Sequence, residues 1–298
     1  MSDGGAALRA RIAGAADLQS MARTMKSIAA ANIGQFEEAA HALDLYYEVV
    51  QDSLALCLRA APHASARTGK RARQIKAGAI VFGSDQGLVG QFNEAICARM
   101  TASPRQYALL WPVGERAAAL LAGHGDMVLH CFPLPASIDA VSALVGRMVI
   151  DIEAVGAHDG IAEVDIFYHR PDGGSNYHPV YQRLLPLDDG WRRALLARPW
   201  PTAAPAQLLA PGEATLRACL REYLFVSLFR ACAASLASEN AARLAAMQRA
   251  EKNIGEKLAS LTQAFHRQRQ GAIDDELFDL VAGFEAAAAP PKRASTQN

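Results

Sequence analysis

The sequence predicts an α/β fold combined with a coiled coil: a long antiparallel pair of N- and C-terminal helices with a compact α/β domain between them. Three observations predict it. Proline is missing before Pro62 and again between Pro211 and Pro290, so most of the 14 prolines fall in the middle. Both proline-free ends carry helix formers and a narrow apolar stripe. The middle alternates strand-like and helix-like segments.

The N-terminal stripe runs through Leu18, Ala22, Met25, Ala29, Asn32, Phe36, Ala39, Leu43, Tyr46, Val50, Ser53 and Cys57, in alternating steps of four and three. That alternation is a coiled-coil seam rather than a broad globular face. A helix from Leu8 to Ala61 would be about 80 Å long. The C-terminal stripe runs through Leu244, Met247, Ile254, Leu258, Leu261 and Phe265, then Ile273, Leu277, Leu280 and Phe284. A helix from Glu213 to Ala287 would reach about 110 Å. Neither stripe is stable alone in water, and the two ends of one chain most simply bury each other. The longer helix should then project about 30 Å beyond its partner, with a small-residue tip at Val281, Ala282, Gly283 and Ala286–Ala289.

In the middle, Ala77–Ser84, Tyr107–Val113, Met127–Phe132 and Glu163–His169 read as strands. Ala95–Met100, Glu115–Ala122 and Asp139–Ala154 read as helices. This order implies a mainly parallel, Rossmann-like sheet with helices on its faces, with Arg183–Leu187 as an added edge strand. The expected divisions are an N-terminal coiled-coil helix over 1–62, a central α/β domain with linkers over 63–211, a C-terminal coiled-coil helix over 212–289 and a disordered tail over 290–298.

Composition narrows the function classes. The 30 basic and 30 acidic residues cancel, which disfavours broad nucleic-acid binding. Cys57, Cys97, Cys131, Cys219 and Cys232 form no CxxC pair, and the histidines show no HxxxH spacing. That pattern argues for a reducing compartment and against a disulfide framework or a metal site. No metal and no cofactor are expected. The start, MSDGGAALRARIAG, lacks a signal-type apolar run, and the first helix leaves no transit peptide to cleave. No apolar stretch is long enough to span a bilayer, so any membrane link is expected to pass through a partner.

The strongest local motif is SDQGLVGQFN, Ser84–Asn93, where a strand turns into a helix. It matches neither the P-loop nor the dinucleotide fingerprint and offers no lysine to a phosphate. Ser84, Asp85, Gly87, Gly90 and Asn93 are therefore read as a structural turn, with Asp85 as a helix cap. A basic run, Arg67, Lys70, Arg71, Arg73 and Lys76, reads either as a solvated linker or as a surface that docks on acidic groups near a membrane.

SDQGLVGQFN resembles the SDRGLCGxxN signature of F-type ATP synthase gamma subunits. Arg11–Ile33, RIAGAADLQSMARTMKSIAAANI, is similar to that family's first helix, and Ser238–Ala286, SENAARLAAMQRAEKNIGEKLASLTQAFHRQRQGAIDDELFDLVAGFEA, to its last. Thr101–Pro211 matches only weakly. The resemblance implies a non-catalytic rotor stalk that couples ion flow through a membrane c-ring to cycling of catalytic sites on beta subunits. Its implied partners are the alpha and beta subunits, the epsilon subunit and the c-ring, at the cytoplasmic face of a bacterial plasma membrane. Met25 and Lys26 match the contact with the lever region of beta, although Met25 also fits a seam residue. Arg269, Gln270, Asp274 and Glu276 match the segment that meets the catch loops of the ring, and Arg243 ties the shaft together or meets the ring. Gln86, Gln91, Asn32, Phe265, His266 and Asp274 depart from the family pattern and suggest a divergent bacterial paralogue. Two other readings compete: an α/β enzyme with helical oligomerisation arms, which needs a catalytic constellation in the middle, and a coiled-coil scaffold protein, which needs a homodimer.

Overall fold

The computed structural model describes residues 3–60, 76–123, 128–135, 137–158, 160–173, 176–187, 189–200 and 212–288. Most of the basic run (Arg67, Lys70, Arg71 and Arg73), the proline-rich linker over 201–211 and the tail over 290–298 lie outside them. The chain forms two compact units, Met25–Ala246 and Met1–Thr24 with Met247–Asn298.

In chain order the elements are α1 (Asp3–Ala60), β1 (Lys76–Phe82), α2 (Phe92–Thr101), β2 (Tyr107–Val113), α3 (Glu115–Leu121), β3 (Val128–Leu129), α4 (Ile138–His158), β4 (Ile161–Pro171), β5 (Tyr177–Leu185), α5 (Asp189–Ala197) and α6 (Gly212–Ala288).

The larger unit is built on a five-stranded sheet of order β3-β2-β1-β4-β5. Its strands are parallel except β5, which returns antiparallel against β4. Alternation along β1 divides the core. Ala77, Ala79 and Val81 face Ile96, Cys97 and Met100 of α2 and Ala117 and Leu121 of α3. Ile80 and Phe82 face α4 and the long helices, including Phe36, Val50 and Leu54 of α1 and Tyr223, Leu224 and Leu228 of α6. Both faces of β1 are thus covered, which is why it reads as a continuous apolar run rather than an alternating one. Tyr107 and Leu110 share a side of β2 because the register shifts by one residue opposite Ala77 and Gly78, as at a bulge.

Three differences from the expected elements have plain causes. Strand β5 begins at Tyr177 rather than Arg183. Pro179 argues against a strand by pattern alone, yet an edge strand tolerates a residue that cannot donate. Among the described residues the third strand is Val128–Leu129, with an isolated parallel bridge from Val113 to Phe132; the expected start at Met127 lies outside them. Helix α5 was not expected. It is short, and it is placed by Leu195 in the core and by Trp191 against Tyr223.

The smaller unit pairs the start of α1 with the second half of α6. Gly4 lies against Gln268, Arg9 stacks over Phe265, Gly255 faces Gln19, and Arg23 pairs with Glu251 at 3.1 Å. Numbers fall on one helix as they rise on the other, so this pairing is antiparallel. In the larger unit the same order holds: Arg230 meets Asp44 at 2.5 Å and stacks on Tyr47, and Tyr223 stacks on Tyr47. The seam departs from the expected pattern at two places on α1. Leu18 is exposed while Gln19 faces the partner helix, and at the second place both tyrosines meet α6: exposed Tyr46 donates its hydroxyl to Glu222 at 2.6 Å, and Tyr47 stacks on Tyr223. The seam resumes on either side of both places, with Ala22, Val50 and Cys57 buried as expected.

His169 on β4 is buried between Phe92 and Tyr177, and neither ring nitrogen has a partner. Burial, with a smaller contribution from His178, lowers its pKa from 6.5 to about 3. The unfolded chain therefore takes up a proton first as pH falls. The stability that depends on neutral His169 is complete above about pH 6.5 and drains away toward pH 3 by about 1.4 kcal/mol per unit. We expect His169→Phe to remove the roughly 2 kcal/mol that this group costs the parent between about pH 6.5 and pH 4.5. Urea midpoints at the two pH values test it, and a variant as acid-sensitive as the parent would refute it.

Candidate functional site

The turn after β1 is held by its own side chains. The Ser84 amide donates to Asn93 Oδ1 at 2.8 Å, Asn93 Nδ2 donates to Ser84 Oγ at 2.8 Å, and Ser84 Oγ donates to the Gln86 carbonyl at 2.8 Å. Gly90 supplies a positive φ of 63°, and Leu88, a non-glycine residue, is held at 64°. Asp85 does cap a helix, but it caps α3 rather than α2. Its Oδ1 accepts from the Glu115 amide at 2.9 Å and its Oδ2 from the Leu134 amide at 3.0 Å. The amides of Ser84, Glu115 and Arg116, which could have faced a phosphate, are thus already engaged within the chain. Gly114 lets the next strand turn come close: its φ is +107°, and a Cβ there would lie 2.7 Å from the Ser84 carbonyl carbon. Asp85→Ala strips an acceptor from two amides, and we expect it to cost about 1–2 kcal/mol. A denaturant midpoint matching the parent's would remove Asp85 from this role.

Asp85 and Gln86 also line a cavity of about 470 Å³ with Met25, Ala29, Asn32 and Phe36 of α1 and Glu239, Asn240 and Arg243 of α6. The expected turn and two of the expected helix positions, Met25 and Arg243, therefore meet at one place. Arg243 reaches Glu239 at 2.6 Å along its own helix, and its Nε has no hydrogen-bond partner. Burial raises the Glu239 pKa against the lowering effect of Arg243, and nearby Asp85 raises it further. Met25 and Lys26 are half-buried. Glu239 was missed in the sequence, although its i,i+4 spacing from Arg243 is the usual signature of a helical ion pair.

Arg269, Gln270, Asp274 and Glu276 lie elsewhere, in the smaller unit, on a fully exposed stretch of α6. From Gly271 to Phe284 every residue is exposed, including Phe278 at 74% and Phe284 at 77%. The seam expected to continue through Ile273, Leu277 and Leu280 is present as a pattern but is not covered by any of the described residues, α1 beginning opposite Gln268.

A family model described as ATP synthase matches residues 5–287. The ATP synthase gamma chain of Rhizobium leguminosarum bv. trifolii is 27% identical over 296 residues, spanning 94% of this chain and 98% of that one. That of Moorella thermoacetica is 26% identical over 295 residues, spanning 94% and 97%. A chain of the Tetrahymena thermophila mitochondrial ATP synthase central stalk and c-ring shares the fold with a TM-score of 0.55 at 21% identity, covering 77% of this chain and 99% of that chain. A chain of the Euglena gracilis mitochondrial ATP synthase gives 0.55 at 14% identity, covering 90% and 100%.

Proposed function

This chain belongs to the ATP synthase gamma family, and from that premise we propose how its residues do the work of a rotor. It is the central stalk that couples ion flow through a membrane ring to the cycling of catalytic sites. Those sites lie on beta subunits, and this chain contributes shape rather than chemistry. Its α/β domain seats on the c-ring beside epsilon, at the cytoplasmic face of a bacterial plasma membrane. Among the described residues no helix is long and apolar enough to cross a membrane, which fits attachment through a partner.

The observation that carries the reading is the bare end of α6. A helix that outruns its antiparallel partner and keeps large apolar side chains in solvent is suited to a sleeve supplied by other subunits. Inside a ring of alternating alpha and beta subunits, Arg269, Gln270, Asp274 and Glu276 would meet the catch loops, and Met25 with Lys26 the lever of beta. Arg243, paired with Glu239 along its own helix, lines the same cavity as Met25 and supports the shaft beside the lever contact.

Magnitudes decide how torque is made. Switching a site from 1:99 to 99:1 between two states takes about 5.5 kcal/mol of bias. An exposed ion pair supplies about 0–1 kcal/mol. Steric packing of a stiff, asymmetric helix pair must therefore supply most of the bias, and the charged residues tune particular angles. Co-purification with alpha and beta subunits, with ATPase assayed with and without this chain, tests the assignment. A chain that fails to enter the hexamer is not its rotor.

A further inference from the structure

The structure brings together two cysteines that are far apart in sequence. Cys57 lies in the last turn of α1, and Cys219 lies in the second turn of α6. Their sulfurs stand 3.6 Å apart, both as free thiols. Cys57 is 1% exposed and sits on the core side of α1, whereas Cys219 is half-buried. Of the remaining cysteines, Cys97 and Cys232 are buried and Cys131 is exposed.

We propose that Cys57 and Cys219 form a reversible disulfide that locks the end of α1 to the start of α6. A disulfide needs its sulfurs about 2.05 Å apart. The sulfurs already stand within van der Waals contact at 3.6 Å, so about 1.5 Å separates the pair from a bond.

The accessible thiol starts the reaction. With glutathione disulfide as oxidant, the Cys219 thiolate attacks one of its sulfurs, forms a mixed disulfide and releases one glutathione. Cys57 then loses its proton to solvent, and its sulfur attacks Cys219 Sγ and expels the second glutathione. The two protein thiols lose two electrons and two protons, and one glutathione disulfide becomes two glutathiones. Burial, with the neighbouring Cys219, pushes the Cys57 thiol up to about 12, so the second step is slow near neutral pH and quickens in alkali.

The link closes a loop that contains the whole sheet. It constrains the unfolded chain and holds the two helices together where they leave the α/β domain. Oxidation would thus stiffen the base of the shaft, a property separate from the rotor assignment and testable on the isolated chain.

The full-length protein is incubated with excess glutathione disulfide at mildly alkaline pH, then alkylated, digested and mapped. We expect one intramolecular peptide pair holding Cys57 and Cys219, an intact mass lower by two hydrogens, a melting midpoint several degrees higher, and full reversal by dithiothreitol. Cys219→Ser and Cys57→Ser should each abolish the pair, and Cys131→Ser should keep it. Cys219→Ser alters a half-buried position, so its fold is checked by melting before oxidation. The parent's peptide map decides the matter even if Cys57→Ser fails to fold. Recovery of both thiols alkylated, a glutathione adduct on Cys219 as the end product, or links through Cys131 alone would overturn the proposal.

Discussion

Deleting residues 272–298 should leave the fold standing and weaken coupling several-fold. Every residue from Gly271 to Phe284 is exposed, so the deletion removes no core contact from that stretch. Its direct effect on stability should stay within about 0.5 kcal/mol, as for exposed substitutions remote from the core. Function is another matter. Ile273, Leu277, Phe278, Leu280, Val281 and Phe284 are all large, apolar and in solvent. Each one buried in a surrounding ring would contribute about 1.5–3 kcal/mol, against about 0–1 for an ion pair made by Arg269, Asp274 or Glu276. Removing the tip should therefore lower torque and slow assembly more than neutralising any one of those charged residues. Reconstitution with alpha and beta subunits, followed by torque and ATPase measurements, separates the two. A truncated chain that turns the motor at full torque would remove the tip from the mechanism. A truncated chain whose sheet no longer melts cooperatively would show that the deletion acted through folding.

Asp165→Ala should cost about 3–5 kcal/mol of stability, as expected when one partner of a buried charge network is removed. Asp165 is fully buried in the middle of β4. Tyr107 donates to its Oδ2 at 3.0 Å and Tyr181 to its Oδ1 at 3.3 Å. Arg105 lies 3.4 Å away and Arg183 3.8 Å away, and Arg105 also pairs with Glu163. Without the carboxylate, two tyrosine hydroxyls lose their acceptor and two guanidinium groups lose a neighbouring opposite charge. Asp165→Asn keeps the acceptor oxygen and should recover part of the loss. Denaturant unfolding measures both variants, and an alanine variant within 1 kcal/mol or so of the parent would mean the network contributes little.

Long periodic segments were legible because one physical pattern repeats many times. Proline-free length and an apolar step near 3.5 residues specify α1 and α6 whatever surrounds them. Strand β1 was legible because a doubly covered parallel strand must be apolar throughout. The turn at Ser84–Asn93 was legible through its glycines and its capping side chains.

Other features are decided by contact, which local pattern does not carry. The sequence names Asp85 as a cap but not the helix it caps, since Glu115 and Leu134 are distant in the chain. It marks Tyr46 for the seam but not that Tyr47 takes the ring contacts with α6 while Tyr46 reaches Glu222 through its hydroxyl. It shows five separate cysteines, and only the antiparallel return of α6 brings Cys219 to Cys57. By itself, then, the sequence determined two long amphipathic helices, a central α/β sheet and the family. The tertiary structure alone decided which residues cap, pair and face one another across the chain. Periodicity is a sum over neighbours along the backbone, whereas a hydrogen bond or a thiol pair depends on two positions that only folding brings together.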